Sequence, residues 1–150
     1  MAAASSNQGR QGAGTADLDS HANMAVLGNQ CTIIQRTGRY ADVNSFASYV
    51  VLMARVPIVD AALEYDCPHS GRTFLLLSRN ALFVESMYHN LVPPFIVREA
   101  GLEVDKLAKI HSETATKQHH LIYSKECDLR IALQLQGIFS VFNTRCLNEN

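Results

Sequence analysis

Short apolar runs separated by turn-forming residues most constrain the fold of this chain. The runs are rich in β-branched and aromatic side chains, whereas the residues between them are mainly Gly, Pro, Asn, Asp or Ser. Runs this short suit β-strands better than helices, and the intervening residues favour turns. The pattern predicts an all-β domain built from hairpins, with runs at residues 25–27, 31–34, 40–43, 49–53, 56–63, 73–77 and 81–84.

Two of the hairpins can be placed along the chain. Residues 57–66 and 72–77 flank the sequence CPHSG, which contains both Pro and Gly and predicts a five-residue turn. Residues 39–46 and 49–55 predict a second hairpin, and its tip would consist of Phe46, Ala47 and Ser48.

One short helix interrupts this pattern. Pro93 and Pro94 stand at its predicted start, where a missing backbone donor costs nothing, and Gly101 follows its predicted end, where a left-handed residue is favoured. The polar residues 102–118 predict a helical or loose connector, and residues 129–135 and 138–142 predict a terminal strand or two. Residues 1–16 lack apolar bulk and predict a disordered arm.

Length, charge and cysteine spacing exclude several classes of protein. A chain of 150 residues fits one domain, and 13 basic against 14 acidic residues leave no basic excess for direct nucleic-acid binding. No apolar run is long enough for a membrane helix and no secretory signal is present, so we expect a cytoplasmic protein without membrane association. The four cysteines lie far apart, which predicts separate reduced thiols.

Two groups of polar side chains predict structure rather than chemistry. The first group lacks paired metal ligands at fixed offsets and predicts a solvent-facing connector instead of a zinc site; it consists of His111, His119, His120 and Cys127. The second group alternates with apolar residues along a predicted strand and predicts a solvated outer face; it consists of Asp60, Glu64 and Asp66. We therefore predict no metal site in the chain.

Asp19 and Ser20 begin the segment that carries chemistry. They are followed by Ala22 and then by the apolar pair Val26 and Leu27. An Asp, a hydroxyl residue, an Ala and an apolar pair in this order resemble the catalytic loop of retropepsin-like aspartic proteases. The resemblance places Asp19 at the catalytic aspartate and Ser20 at the hydroxyl residue that braces the loop.

A second block extends this resemblance. His89, Asn90 and Leu91 precede the predicted helix, and with residues 81–84 they resemble the proteases of copia-type LTR retrotransposon polyproteins. Residues 128–140 are similar to the sequence that follows the protease in such polyproteins. The resemblance implies a small closed barrel with a flap hairpin and one short helix across residues 17–103. It assigns residues 104–150 to a connector and C-terminal strands.

The resemblance also implies a mechanism and partners. In this family two aspartates share one proton and activate a water for peptide hydrolysis, without a cofactor. The chain has one Asp-Ser block, so the second carboxylate must come from the same residue of a second copy. The implied partners are a homodimer mate and a peptide or polyprotein substrate. The implied location is the cytoplasm or a retrotransposon particle.

Each of the matched residues has an implied role. The catalytic residues are Asp19 and Ser20. The residues that contact the substrate are Ala22 and Asn23 in the loop, and Phe46, Ala47 and Ser48 at the flap tip. The residues that support the site are His21, His89, Asn90 and Leu91.

Three positions depart from the family pattern. His21 replaces a Gly, Asn23 replaces an Asp, and His89 stands where family members often have an Arg. A hydrogen bond between Asn23 and His89 would take the place of the family's Asp–Arg brace. These departures leave an alternative open, in which the chain is a catalytically inactive relic of the same fold that dimerises or binds peptides.

Overall fold

In the part of the chain that the structure describes, the fold is all-β with one short helix, as the sequence predicts. The computed structural model describes residues 13–19, 22–44, 51–105, 120–137 and 139–147. In these residues, no helix is long and apolar enough to cross a lipid bilayer. The elements are β1 (Ala13–Leu18), β2 (Val26–Leu27), β3 (Thr32–Asn44), β4 (Val51–Asp66), β5 (Thr73–Phe83), β6 (His89–Val92), α1 (Pro94–Glu99), β7 (Glu103–Asp105), β8 (Leu121–Ser124), β9 (Leu129–Ala132), β10 (Gln134–Gln136) and β11 (Phe139–Arg145).

Two sheets account for these strands. The larger sheet has the order β10-β11-β1-β6-β2-β5-β4-β3, and the smaller has the order β7-β8-β9. β1 runs parallel to β6, and β2 runs parallel to β5, while the other pairs are antiparallel. One further antiparallel bridge joins Arg145 of β11 to Glu64 of β4. This bridge brings β11 next to β4 at one residue pair, and the closed barrel itself stays a prediction.

The hairpin between β4 and β5 is confirmed. Asp66 pairs with Thr73, and the Cys67 amide donates to the Arg72 carbonyl at 2.9 Å across the turn. The Gly71 amide donates to the Cys67 carbonyl at 2.9 Å, and Gly71 has a φ of +71°, which suits glycine. The predicted turn residues therefore close this hairpin.

The pairing of β3 with β4 is confirmed as well. Tyr40 lies opposite Pro57, and Asn44 lies opposite Val51. The predicted tip residues Phe46, Ala47 and Ser48 lie outside the described residues. β3 and β4 are 13 and 16 residues long, so each joins runs that the sequence separates. Register shifts along the pair allow this length, and one of them lies next to Pro57, which cannot donate to a neighbouring strand.

Helix α1 begins and ends close to its predicted limits. Pro94 is its first residue, and the Ile96 amide donates to the Pro93 carbonyl at 3.1 Å. Gly101 follows the helix with a φ of +86°, and its amide donates to the Arg98 carbonyl at 3.0 Å. The positive φ explains why a glycine ends this helix.

The predicted disordered arm is too long. Its last four residues, 13–16, belong to β1, where Ala16 is fully buried between β6 and β11. Small side chains make this insertion possible: a Cβ on Gly14 would lie 2.7 Å from the Cβ of Gln30. The composition of residues 13–16 offers little apolar surface and therefore predicts disorder. It does not show that β6 and β11 pack on both sides of this segment.

The last two strands, β10 and β11, are part of the larger sheet. β11 pairs with β1 over six residues, so the segment after residue 104 does not simply follow the protease-like segment. Residues 103–105 of the predicted connector form β7, and residues 106–118 lie outside the described residues. His120 is buried rather than solvent-facing, and its Nε2 lies 3.0 Å from the Ser140 hydroxyl.

The prediction of a solvated outer face is wrong for Glu64 and correct for Asp66, which is exposed but is paired with an arginine. Arg145 of β11 reaches both carboxylates, with its Nε 2.7 Å from Asp66 Oδ2 and its Nη1 against Glu64 Oε2. The side chains of Glu64 and Arg145 are only 18% and 24% exposed. Asp60 is also engaged, because its Oδ1 accepts the Asn80 amide at 2.9 Å. The contacts of Glu64 and Asp66 with Arg145 depend on β11, whose position the sequence does not reveal.

Replacing Arg145 by Met tests this contribution. R145M leaves the half-buried Glu64 carboxylate without a cation, so the free energy of unfolding should fall by about 1–3 kcal/mol. Lys125→Met is the matched control, because the Lys125–Glu103 pair is 76% and 48% exposed. It should cost less than about 0.5 kcal/mol. Urea denaturation measures both; equal losses would contradict the role of Arg145.

Candidate functional site

Asp19 lies directly after β1, at the start of the predicted catalytic loop. The parallel pairing of β1 with β6 continues to this point, because the Asp19 amide donates to the Val92 carbonyl at 3.1 Å. Asp19 is half-buried. Ser20 and His21 lie outside the described residues. The backbone of Asp19 is therefore held by β6, immediately before helix α1.

Asn90 connects three backbone segments around this loop. It is fully buried in β6, its Oδ1 accepts the Gly28 amide at 3.0 Å, and its Nδ2 donates to the Thr15 carbonyl at 3.2 Å. A buried carboxamide whose oxygen and nitrogen are both used is well suited to fix neighbouring strands. Asn90 thus joins β6 to β1 and to the residue after β2, and its role in a catalytic site stays a prediction.

Gly28 allows the close approach that this connection needs. A Cβ at this position would lie 2.4 Å from the Met87 carbonyl oxygen and 2.7 Å from the His89 carbonyl oxygen. Both are backbone atoms, so a side chain would force the strands apart. Gly28 was not among the predicted site residues, and the only sequence signal for it is a glycine directly after the apolar pair.

One face of β1 and β6 carries the polar groups next to Asp19. Ala16 and Leu18 of β1 point into the core, so Thr15 and Asp17 lie on the opposite face. Asp17 pairs with Leu91, and Thr15 pairs with His89, which places Leu91 and His89 on the same face. Leu91 is half-buried and His89 is exposed.

The pKa of Asp17 depends on its burial and on two charged neighbours. Partial burial raises the pKa of Asp17 above its ordinary value, and the nearby Asp19 carboxylate raises it further, while His89 lowers it. The predicted site did not include Asp17. Its signal was available, because residues two apart on a strand share a face.

The expected brace between Asn23 and His89 is not formed. Both residues are described, and no hydrogen bond joins them; His89 acts on Asp17 instead. Asn23 is exposed in the bend between β1 and β2, and Ala22 beside it is half-buried. The register of β6 explains the difference, since it holds His89 opposite Thr15.

The β3–β4 hairpin carries its own polar contacts on the way to its tip. The Arg55 guanidinium lies 4.8 Å from the centre of the Tyr40 ring, and the Arg55 amide donates to Asp42 Oδ1 at 2.9 Å. A cavity of about 520 Å³ lies beside this hairpin, lined in part by Arg36, Met53 and Glu85. The hairpin thus offers an exposed polar and aromatic surface.

Within the described residues, no three His, Cys, Asp or Glu side chains are arranged to hold a metal ion. All four cysteines are free. The chemistry available at the end of β1 is that of carboxylates and an imidazole. No protein-family model, no curated protein and no solved structure matches this chain. The assignment of function therefore rests on the motif and on this geometry.

Replacing Asn90 by Ala tests the connection beneath the loop. N90A removes two hydrogen bonds and leaves buried backbone groups unpaired, so the free energy of unfolding should fall by about 2–4 kcal/mol. Hydrogen exchange at the Gly28 amide should become faster for the same reason.

Asn29→Ala is the matched control for this substitution. Asn29 donates to the Glu85 carbonyl at 3.0 Å in an exposed position. Its loss should cost less than about 1 kcal/mol and leave protection of the Gly28 amide unchanged. If N90A and N29A behave alike, Asn90 does not organise the site.

Proposed function

We propose that this chain is an aspartic endopeptidase of the retropepsin type, which processes a retrotransposon polyprotein as a homodimer. One observation carries the proposal: the Asp-Ser motif begins where β1 ends, and the backbone of Asp19 is held by β6 directly before the helix. The hydrogen bond from the Gly28 amide to Asn90 joins the end of β2 to β6, the strand that holds Asp19. Such a platform holds a carboxylate in a defined position while leaving it accessible.

The homodimer supplies the second half of the active site. The chain has a single Asp-Ser block, and one carboxylate cannot act as both acid and base in the same step. A two-fold axis beside Asp19 brings the same residue of a second copy opposite it. The partial exposure of Asp19 supports this arrangement, because a fully buried carboxylate could not face its counterpart in a second copy.

Hydrolysis follows from the shared proton. Two carboxylates this close titrate as a pair, so one is ionised while the other keeps its proton. The ionised Asp19 takes a proton from a water, whose oxygen attacks the peptide carbonyl carbon, and the protonated Asp19 donates to the carbonyl oxygen. The C–N bond then breaks as the leaving nitrogen receives a proton from the dyad. No cofactor is needed.

The substrate is an extended peptide in this proposal. It lies between the loop, with Ala22 and Asn23, and the β3–β4 hairpin, whose tip contains Phe46, Ala47 and Ser48. An extended peptide can add to neighbouring strands through its backbone. Ser20 braces the loop through its hydroxyl group. The proposed setting is the cytoplasm or a retrotransposon particle.

The alternative is a catalytically inactive relic that dimerises or binds peptides. Two observations favour it: no hydrogen bond joins Asn23 to His89, and His21 stands in place of the family's Gly. The contacts of Asp19, Asn90 and Gly28 suit either function, because they position the backbone and not the reacting groups. Activity therefore separates the two.

Asp19→Asn is the decisive variant. In a homodimer it removes both carboxylates of the dyad, so cleavage of a polyprotein-like peptide at mildly acid pH should fall by roughly a thousandfold or more. Mass spectrometry of the products measures the rate, and analytical ultracentrifugation measures the oligomeric state.

Asp128→Asn is the matched control for D19N. Asp128 lies in an exposed turn with a φ of +58°, which Asn tolerates, so D128N should cleave like the unchanged protein. Equal cleavage by D19N and the unchanged protein would refute the protease. A stable dimer that cleaves no peptide would favour the inactive module.

A further inference from the structure

Asp17 is a second carboxylate on the face that carries Asp19. The strand alternation of β1 buries Ala16 and Leu18 and leaves Asp17 half-buried on the other face. Residues two apart on a strand are separated by roughly 7 Å. A Lys or Arg side chain has a similar reach. When the cleaved bond of a peptide lies at Asp19, a Lys or Arg side chain next to that bond can therefore reach Asp17.

The surroundings of Asp17 lack a permanent cation in the described part of the chain. On β6, Leu91 lies opposite it and the imidazole of His89 is nearby; on β11, the buried Val141 lies opposite it. The charged groups that act on it are Asp19 and His89. An imidazole is positive only when it is protonated. Asp17 is thus a half-buried carboxylate that a cationic ligand can neutralise.

We propose that Asp17 determines the substrate preference of this site, favouring peptides with a Lys or Arg next to the cleaved bond. The inference rests on the proposed function, since it assigns a substrate class to the same site. In the symmetric dimer, the Asp17 of each copy lies on one side of the dyad. A basic residue on either side of the cleaved bond therefore meets a carboxylate.

Partial desolvation makes this preference strong enough to measure. A carboxylate withdrawn from water gains more from a cationic partner than an exposed one does, and it disfavours an apolar or acidic side chain in its place. We expect the Lys peptide to be cleaved with a kcat/KM about tenfold above that of a norleucine peptide, a ratio suited to one partly screened charge pair. The matching Glu peptide should be the poorest substrate.

Three peptides that differ only at the residue next to the cleaved bond test this preference. They carry Lys, norleucine or Glu there, and each is incubated with the unchanged protein, Asp17→Asn, Asp17→Lys and the control Asp128→Asn. D17N should bring the Lys-to-norleucine ratio close to one, D17K should favour the Glu peptide, and D128N should keep the original ratio. A structural defect would lower all three rates together and leave the ratios unchanged.

The preference for Lys can also be tested in the unchanged protein, so that the result does not depend on whether a variant folds. Raising the salt from about 0.05 to 0.5 M should reduce the Lys-to-norleucine ratio, because the Debye length shortens severalfold. The Lys peptide should also bind more tightly than the norleucine peptide to the D19N protein, which is expected not to cleave either of them.

The outcomes separate the two proposals. Cleavage that depends on Asp19 but has a Lys-to-norleucine ratio near one refutes the role of Asp17 alone. A ratio that D17N leaves intact does the same. Absence of Asp19-dependent cleavage overturns the proposed function, and this inference with it.

Discussion

The insertion of β1 between β11 and β6 is the constraint on which the rest of the structure depends. Its backbone is hydrogen-bonded on both sides, antiparallel to one neighbour and parallel to the other. The parallel side needs β6 to arrive from far along the chain, and the buried Asn90 holds that strand to Thr15 and Gly28. Because Asp19 directly follows β1, its position is set by these neighbours rather than by its own loop.

Carboxylates stabilise the contact between β11 and β4, and other carboxylates lie at the candidate site. Arg145 neutralises Glu64 and Asp66 where β11 meets β4, so these carboxylates serve the sheet. Among the described residues, the only cationic neighbour that acts on Asp17 is the His89 imidazole. The same residue type therefore has two roles, and the difference is the presence of a guanidinium. A carboxylate with no permanent counter-ion is the one that a substrate can use.

Local patterns predicted local structure well. The turn at 67–71, the limits of α1 and the pairing of β3 with β4 depend on neighbours in sequence, and all three agree with the structure. Asn90 and Leu91 lie in β6 opposite Ala16 and Asp17 of β1, the strand that ends directly before Asp19. Asp17 and Gly28 were missed, although strand alternation and a glycine beside the apolar pair were visible. Arg145 was missed because its partners are about eighty residues away.

The sequence by itself determined the all-β class, the single short helix and the Asp-Ser motif, because short apolar runs, Pro and Gly act through local backbone preferences. Only the tertiary structure decided that residues 13–16 belong to a strand in which Ala16 is buried, that β10 and β11 lie within the larger sheet, and that His120 is buried. It also decided that His89 acts on Asp17 rather than on Asn23. The physical reason is register: which residues face one another across strands is settled by the pairing of distant segments, and one chain pattern is compatible with many pairings.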